Sequence, residues 1–344
     1  MTRVLVAMSG GVDSSVAAAL LIEEGHDVVG VTLKLWGGAS DSGCCSVADV
    51  EDARRVAQQL GIDHWVLNFA DEFESAVVTP YAEAHAAGRT PNPCIECNRD
   101  FKFGRLLERA RRLGFDAVAT GHHARVERAP SGRYRLLRGA DGAKDQSYVL
   151  HMLGQGELSR CRFPVGEIAK SEVRRKASDL GLRTADKPES QDVCFITASA
   201  GRKAFLAPRI PLRAGTVVDR DGVTLGRVDA VELVTVGQRR GLGAGGGGDK
   251  RYAIAVDTST ATVTAGSLDE LMTRRVALGE ISWVGAPLDA PAGVEAQCSA
   301  HGAPVPARFD GRDVEFREPH RRVAPGQSVV LYRGDEVIGG GPAV

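Results

Sequence analysis

The chain alternates two apolar rhythms as far as about Ala207. Short apolar runs at Arg3–Met8, Asp27–Trp36, His64–Phe69 and Asp116–His122 predict strands, and the second, apolar on both faces, belongs inside a sheet. Between them the spacing turns helical. Val16, Leu20 and Leu21 share one face of a segment from Ser14 to Glu24, and VADVEDARRVAQQLG predicts a helix closed by Gly61. Two more helices are expected over Glu72 to about Ala87 and over Arg99–Gly114. Strands joined by helices of this length form right-handed βαβ units, so the fold class is α/β with a parallel sheet.

Beyond Ala207 the helical period disappears. GTVVDRDGVTLG, KRYAIAVDTSTATVTAG and RRVALGEISWVG read as short strands with Asp-Gly or glycine-rich turns, and QSVVLYRGDEVIGGG closes the chain as a hairpin around Arg333-Gly334-Asp335. The expected division is 1–206 for an α/β catalytic domain, 207–270 for a small β-rich central domain and 271–344 for a C-terminal β-barrel. The run GLGAGGGGDKR (Gly241–Arg251) lacks the strand–turn–helix frame of a nucleotide loop and reads as a flexible hairpin tip.

A length of 344 residues fits two or three domains, and 43% apolar with 25% charged residues is ordinary for a globular chain. No run approaches ~18 apolar residues, and Arg3–Met8 begins without an apolar leader, so a cytoplasmic protein with no membrane span is expected. The net charge of −1 leaves nucleic-acid binding open, because a basic patch matters more than the total. Seven cysteines, an odd number, argue against a disulfide framework in a reducing compartment; each is either a small buried apolar residue or chemically used.

Chemistry enters at VLVAMSGGVDSS (Val4–Ser15), where Ser9, Gly10 and Gly11 follow a strand and Asp13, Ser14 and Ser15 open a helix. The glycines let backbone approach an anion, and the helix start supplies free N–H groups and a partial positive charge. The serine hydroxyls donate to phosphate oxygens, while Asp13 caps the helix or holds a phosphate-bound Mg2+. A plain tight turn with an Asp or Ser cap is the alternative. The lysine of a γ-phosphate-cleaving P-loop is missing. The stretch resembles the loop of the PP-loop ATP pyrophosphatase family, whose members split ATP between the α and β phosphates and transfer AMP to an oxygen. That resemblance implies adenylation without naming the acceptor.

TPNPCIECNRDFKFG (Thr90–Gly104) reads as a loop entering the helix expected from Arg99, with Pro91 and Pro93 holding it extended. Cys94 and Cys97 stand at CxxC spacing near a helix start, which favours a thiolate, and Cys194 follows in ESQDVCFI. A CxxC alone serves redox, zinc and iron–sulfur sites alike, and zinc wants four ligands where three cysteines are in sight. GRTPNPCIECNRDFKFG, ATGHHAR, LLRGADGAKDQSYVLHML, SQDVCFI, TVGQRRGLG and PGQSVVLYRGDEVIGGG, in this order over essentially the whole chain, resemble the bacterial tRNA 2-thiouridylase family of PP-loop enzymes.

The resemblance implies an enzyme that uses ATP and Mg2+ to adenylate the C2 oxygen of the wobble uridine (position 34) in the tRNAs for Lys, Glu and Gln. Sulfur then displaces AMP, supplied by a cysteine desulfurase or a sulfur-relay protein. Carried over residue by residue, Cys194 is the persulfide carrier and Cys97 the partner thiol that releases the sulfur through a transient disulfide. Ala7, Met8, Ser9, Gly10, Gly11, Val12, Asp13 and Ser14 hold ATP, with Leu33 and Gly121 at the adenosine. Asn92, Pro93 and Cys94 lie against the target base, and His122, Lys144, Asp145, Gln146 and Gln327 touch the tRNA.

Cys94 departs from the family, many of whose members carry a general-base Asp there. A thiol accepts a proton poorly unless its pKa is lowered. Cys94, Cys97 and Cys194 instead resemble the ligand set of a 4Fe–4S cluster with one open iron, as in other tRNA thiolases. Both routes stay open on the sequence, and a PP-loop adenylating ligase acting on a small molecule is the alternative function. Cys44-Cys45, Cys161 and Cys298 read as structural or incidental, whereas Arg99, Lys102 and Arg105, beside the CxxC loop, are expected at tRNA phosphates.

Overall fold

The structure is a computed structural model that describes residues 1–37, 46–189, 193–197, 199–243 and 250–344. Cys44-Cys45, the first three residues of SQDVCFI and the centre of the glycine run lie outside the described residues.

The first sheet is parallel, in the order β3-β2-β1-β4-β7, built from β1 (Arg3–Ala7), β2 (Asp27–Lys34), β3 (His64–Asn68), β4 (Ala117–Thr120) and β7 (Cys161–Arg162). Strand β1 lies between β2 and β4, with Ala7 opposite both Val31 and Thr120. Parallel pairing brings the carboxyl ends of β1 and β4 together, so the loops Met8–Gly11 and Gly121–His123 emerge side by side, where open α/β sheets bind ligands. Helix α1 (Val12–Glu23) is buried nearly all round, through Val12, Val16, Ala17, Ala18, Ala19 and Leu21. It shares its core with α2 (Val47–Gln59) and with α3 (Lys170–Asp179) through Val56, Val173 and Ala177. Ser46 caps α2, its hydroxyl accepting from Asp49 N–H at 3.0 Å, and Gly61 ends the helix at φ +70.

Two helices differ from expectation. The segment expected from Glu72 is helical from Ala70 to Ala86 and carries a wide π-helical turn at Glu74–Val78. The helix expected from Arg99 begins six residues earlier, running through Pro93–Glu96, a wide stretch Cys97–Arg105, and Leu106–Arg112. Proline at the first helical position needs no N–H partner, and the Asn92 side chain accepts from Cys94 N–H at 3.0 Å, so a local cap outweighs the extended habit of the two prolines. Cys94 and Cys97 therefore stand on the helix rather than on a loop leading to it.

The central region forms an independent four-stranded sheet of β8 (Gly215–Val218), β9 (Thr224–Val228), β10 (Tyr252–Asp257) and β11 (Thr262–Gly266), filled by Val217, Val228, Val231, Val263 and Ala265. The C-terminal strands are β12 (Met272–Ala277), β13 (Ser282–Trp283), β14 (Ala292–Gln297), β15 (Val305–Phe309), β16 (Asp313–Arg321), β17 (Ser328–Arg333) and β18 (Glu336–Pro342). Their sheet is completed by a hairpin from the α/β region, β5 (Ala124–Arg128) and β6 (Tyr134–Arg138), with Leu136 opposite Val337. Glu336 binds Arg133 at 2.6 Å and Arg135 at 2.9 Å across this seam. Among the described residues no helix is long and apolar enough to cross a membrane.

Candidate active site

The phosphate loop is closely packed before any ligand arrives. Gly10 has φ +75, and a Cβ there would lie 2.2 Å from the Asp49 carbonyl oxygen; a Cβ on Gly121 would lie 2.6 Å from the Ser14 nitrogen. Ser14 Oγ accepts from Ser9 N–H at 3.2 Å and donates to Gly11 O at 3.1 Å, and Ser15 Oγ donates to the same carbonyl at 2.9 Å. Gly11 is the N-cap of α1 and no side chain caps the helix, so the capped-turn alternative does not hold; Asp13 and Ser14 of the first turn line the cavity.

Asp13 is not a cap either. Its carboxylate takes both oxygens to Lys170 Nζ, at 2.6 and 2.7 Å, and one to His123 Nε2 at 3.1 Å. Burial pushes the Asp13 carboxyl up, but the bonds from His123 and Lys170 outweigh it and hold the pKa below the usual carboxylate value. Lys170 is a buried cation at the start of α3, with Glu189 3.6 Å away, and Glu189 in turn binds Lys144 at 2.8 Å. The hydrogen bond from Lys144 keeps Glu189 below its ordinary pKa. The cation absent from the loop's own sequence thus arrives from 157 positions away. Lys170 and His123 are residues the sequence reading missed as site residues; AKSEV looks like any amphipathic helix start, and only the fold lays it on Asp13.

Ser9, Asp13 and Ser14 share one cavity of about 330 Å³ with Cys94, Cys97 and Cys194. Ala7, Met8, Leu33, Pro93, Gly121, His122, Lys144, Asp145 and Gln146 also line it. Gly10, Gly11, Val12, Asn92 and Gln327 do not: Gly10 faces α2, and Asn92 caps the cysteine helix. The apolar wall behind Cys194 is the fully buried Phe73 with Phe195, their rings 5.7 Å apart. The wide winding after Cys97 is fixed by Leu106 N–H donating to Phe101 O, by Gly104, whose Cβ would lie 2.8 Å from Arg99 O, and by Phe101 against Phe73 at 5.4 Å. An i to i+5 repeat puts Cys97 and Lys102 on one face, and both line the cavity, whereas an α-helix would set them about 140° apart.

Of the residues expected at the tRNA, several are engaged inside the protein. Asp145 accepts from Arg138 Nη1 at 2.7 Å, Gly139 N–H at 3.0 Å, Ser147 N–H at 3.0 Å and Ser147 Oγ at 2.9 Å. Gln146 accepts from His123 N–H at 2.9 Å. Gln327 donates to Thr90 O at 2.7 Å, and Thr90 N–H to Pro325 O at 2.7 Å, so the C-terminal domain holds the loop that leads to Cys94. His122 Nδ1 lies 2.7 Å from Thr120 Oγ1, and burial, followed by the charges of Lys102 and His123, keeps its pKa far below the usual value; it is a neutral imidazole. Arg99 binds Glu96 at 2.6 Å, while the Arg105 guanidinium lies 5.6 Å from the Phe101 ring centroid. Cys161 is fully buried with its pKa pushed up, and burial raises Cys298 to about 12, so neither thiol ionises readily.

The loop fits ATP: glycine contacts that a Cβ would fill, uncapped helix N–H groups, and Lys170 beside them suit a polyphosphate, and the volume suits a small ligand. The Asp13 oxygens expected at a phosphate-bound Mg2+ are instead taken up by Lys170 and His123. The 4Fe–4S alternative does not fit as well, because among the described residues no group of three His, Cys, Asp or Glu is arranged to hold a metal.

Residues 2–198 match the model of the tRNA methyl transferase HUP domain, residues 203–267 the tRNA methyl transferase PRC-barrel domain, and residues 273–343 the aminomethyltransferase beta-barrel domain. The tRNA-specific 2-thiouridylase MnmA of Chloroflexus aurantiacus is 48% identical over 99% of this chain and 98% of its own length. That of Heliobacterium modesticaldum is 47% identical over 99% of this chain and 92% of its own. The chain belongs to the tRNA-specific 2-thiouridylase family. Among solved structures, the U34-tRNA thiolase NcsA of Methanococcus maripaludis, with its 4Fe–4S cluster, aligns at 19% identity and TM-score 0.37, covering 55% of this chain and 59% of its own. The α/β domain followed by two β domains is thus the family's architecture, and the cavity lies at the carboxyl ends of β1 and β4.

Proposed function

We propose that this protein uses ATP to replace the C2 oxygen of the wobble uridine (position 34) of the tRNAs for Lys, Glu and Gln with sulfur. The observation that carries the reading is the single cavity in which a phosphate loop and three cysteines face one another. A uracil C2 oxygen is a poor leaving group. Attack of that oxygen on the α-phosphorus of ATP forms an O–P bond, expels pyrophosphate and turns the oxygen into part of AMP, which leaves readily. The terminal sulfur of a persulfide on Cys194 then bonds to C2 as AMP departs. Attack of the Cys97 thiolate on the Cys194 sulfur breaks the remaining S–S bond, leaves 2-thiouridine and joins Cys97 to Cys194 as a disulfide, which an external thiol reduces.

Mg2+ bound with ATP would neutralise phosphate charge and polarise the α-phosphoryl group. Lys170 and the α1 N–H groups hold the phosphates and the charge that builds on them, and His123 and Lys170 orient Asp13. Cys94 and Pro93, both on the cavity wall, are the residues assigned to the target base in this reading. A cysteine desulfurase or a sulfur-relay protein supplies the sulfur.

The test is mass spectrometry of tRNA nucleosides after incubation with ATP, Mg2+ and a sulfur donor. The wild-type chain is expected to form 2-thiouridine. Cys194→Ser is expected to lose at least a thousandfold of it while still releasing pyrophosphate, because adenylation needs no sulfur and the AMP stays on the base. Formation of AMP and pyrophosphate without 2-thiouridine by the wild type moves the function to an adenylating ligase for a small molecule.

A further inference from the structure

We propose that His301, a residue of the C-terminal β domain, stacks on the nucleobase next to the target uridine. The inference rests on the RNA-substrate reading given above. Ala300 and His301 reach the cavity from the loop between β14 and β15, although that loop lies about a hundred residues beyond Cys194. Six described lining residues carry an aromatic ring: Phe73, His122, His123, Tyr148, Phe195 and His301. The first five are buried, and His301 alone among them is exposed.

The loop is held in place by buried polar groups. Gly302 N–H donates to Ser299 O at 3.1 Å, closing a tight turn with His301 near its tip. Gln297, almost fully buried, donates to Ser299 O at 3.0 Å and Ala300 O at 3.3 Å, and accepts from Arg138 Nη1 at 3.0 Å. Arg138 also binds Asp145 and lies over the Tyr332 ring, its Cζ 3.7 Å from the centroid. Burying an amide and holding a half-buried guanidinium to fix an exposed turn gains little for the core, because both give up water for the bonds they make. What the brace does achieve is a preset position for one aromatic ring at the cavity mouth, reached through Asp145 from the same loop that carries Lys144 and Gln146.

A cavity that takes one nucleotide leaves that nucleotide's neighbours at the mouth. Single-stranded loop RNA is bound largely by stacking of unpaired bases on aromatic side chains, which is strong for any base and needs no hydrogen-bond code. An imidazole on a braced turn is such a platform.

The test uses the full chain and fluorescence anisotropy with an anticodon stem–loop RNA carrying uridine at the target position. His301→Ala is expected to weaken binding about tenfold. His301→Phe is expected to stay within about twofold of wild type and His301→Gln to fall with the alanine variant, because stacking needs a ring rather than a hydrogen bond. An abasic nucleotide beside the target should cost the wild type a similar factor and cost His301→Ala little. Unchanged binding by His301→Ala, equal rescue by Gln and Phe, or equal abasic penalties in both proteins each overturn the contact. Equal binding together with normal 2-thiouridine formation removes the contact alone, whereas a stacking result without 2-thiouridine removes the thiolation reading and leaves the contact standing.

Discussion

At the phosphate end of the cavity the chemistry-bearing side chains are already bound to one another. Asp13 holds Lys170 and His123, Ser14 closes onto Ser9 and Gly11, and Gly10 and Gly121 leave no room for a methyl group. At the end that carries the cysteines, Cys94 and Cys97 stand on a short capped turn running into a wide helix whose Phe101 packs on Phe73. The difference follows the two tasks. A phosphate has the same shape in every turnover, so a rigid, pre-charged cradle stabilises the transferring group without reorganisation. In the proposed reaction sulfur moves from Cys194 to the base and the cysteines approach each other, which favours elements whose hydrogen bonding admits more than one winding.

The sharpest way to break this contrast is to remove the imported cation. Lys170→Met is expected to lower ATP-dependent AMP formation by about a hundredfold or more, the scale of losing one group that stabilises transition-state charge. It leaves the cysteine helix intact, so the Cys97 alkylation rate should not move; a coupled fall in both would mean that the two ends are one unit. A pH signature accompanies it. The folded Asp13 pKa lies below its unfolded value, so the pair contributes stability above the unfolded carboxylate pKa and loses it as pH falls through the folded one. Thermal unfolding of wild type and Lys170→Met should therefore differ at neutral pH and converge on strong acidification.

How much of this was legible in the sequence also divides at the same line. The glycine turn, the parallel α/β order and the later β regions follow from apolar period and turn residues, because those signals are local. Lys170 on Asp13, the hairpin β5–β6 completing the C-terminal sheet and His301 at the cavity are long-range contacts, and no period or spacing records them. The helix start at Pro93 was misplaced for a different reason: two prolines argue for extended chain, and the cap from Asn92 that reverses the balance is a single side-chain bond. Asp145 and Gln327 sit in the motifs of the resemblance, yet their side chains hold Arg138, Ser147 and Thr90 in place.

A second comparison uses glycines. Gly10→Ala combines a left-handed backbone with a 2.2 Å approach to the Asp49 backbone, which cannot yield without shifting α2, so a loss of about 3 kcal/mol or more is expected in urea unfolding. Gly104→Ala meets Arg99 O at 2.8 Å inside a helix that can rewind, and about 1 kcal/mol is expected. Equal costs would remove the distinction between a rigid and an adaptable end.

The smallest effect concerns Asn92. Its side chain accepts from Cys94 N–H, which satisfies one of the free donors at the start of the cysteine helix. Asn92→Ala removes the cap and should cost about 1 kcal/mol, while Asn92→Ser keeps an oxygen at the same place and should cost a few tenths at most. The two variants also separate capping from base contact. If Asn92 serves only to aim Cys94, thiolation by Asn92→Ser should match the wild type and that by Asn92→Ala should fall in step with the lost cap. If its amide also touches the base, Asn92→Ser folds normally and still thiolates slowly, because a hydroxyl caps a helix but cannot reproduce an amide's paired donor and acceptor.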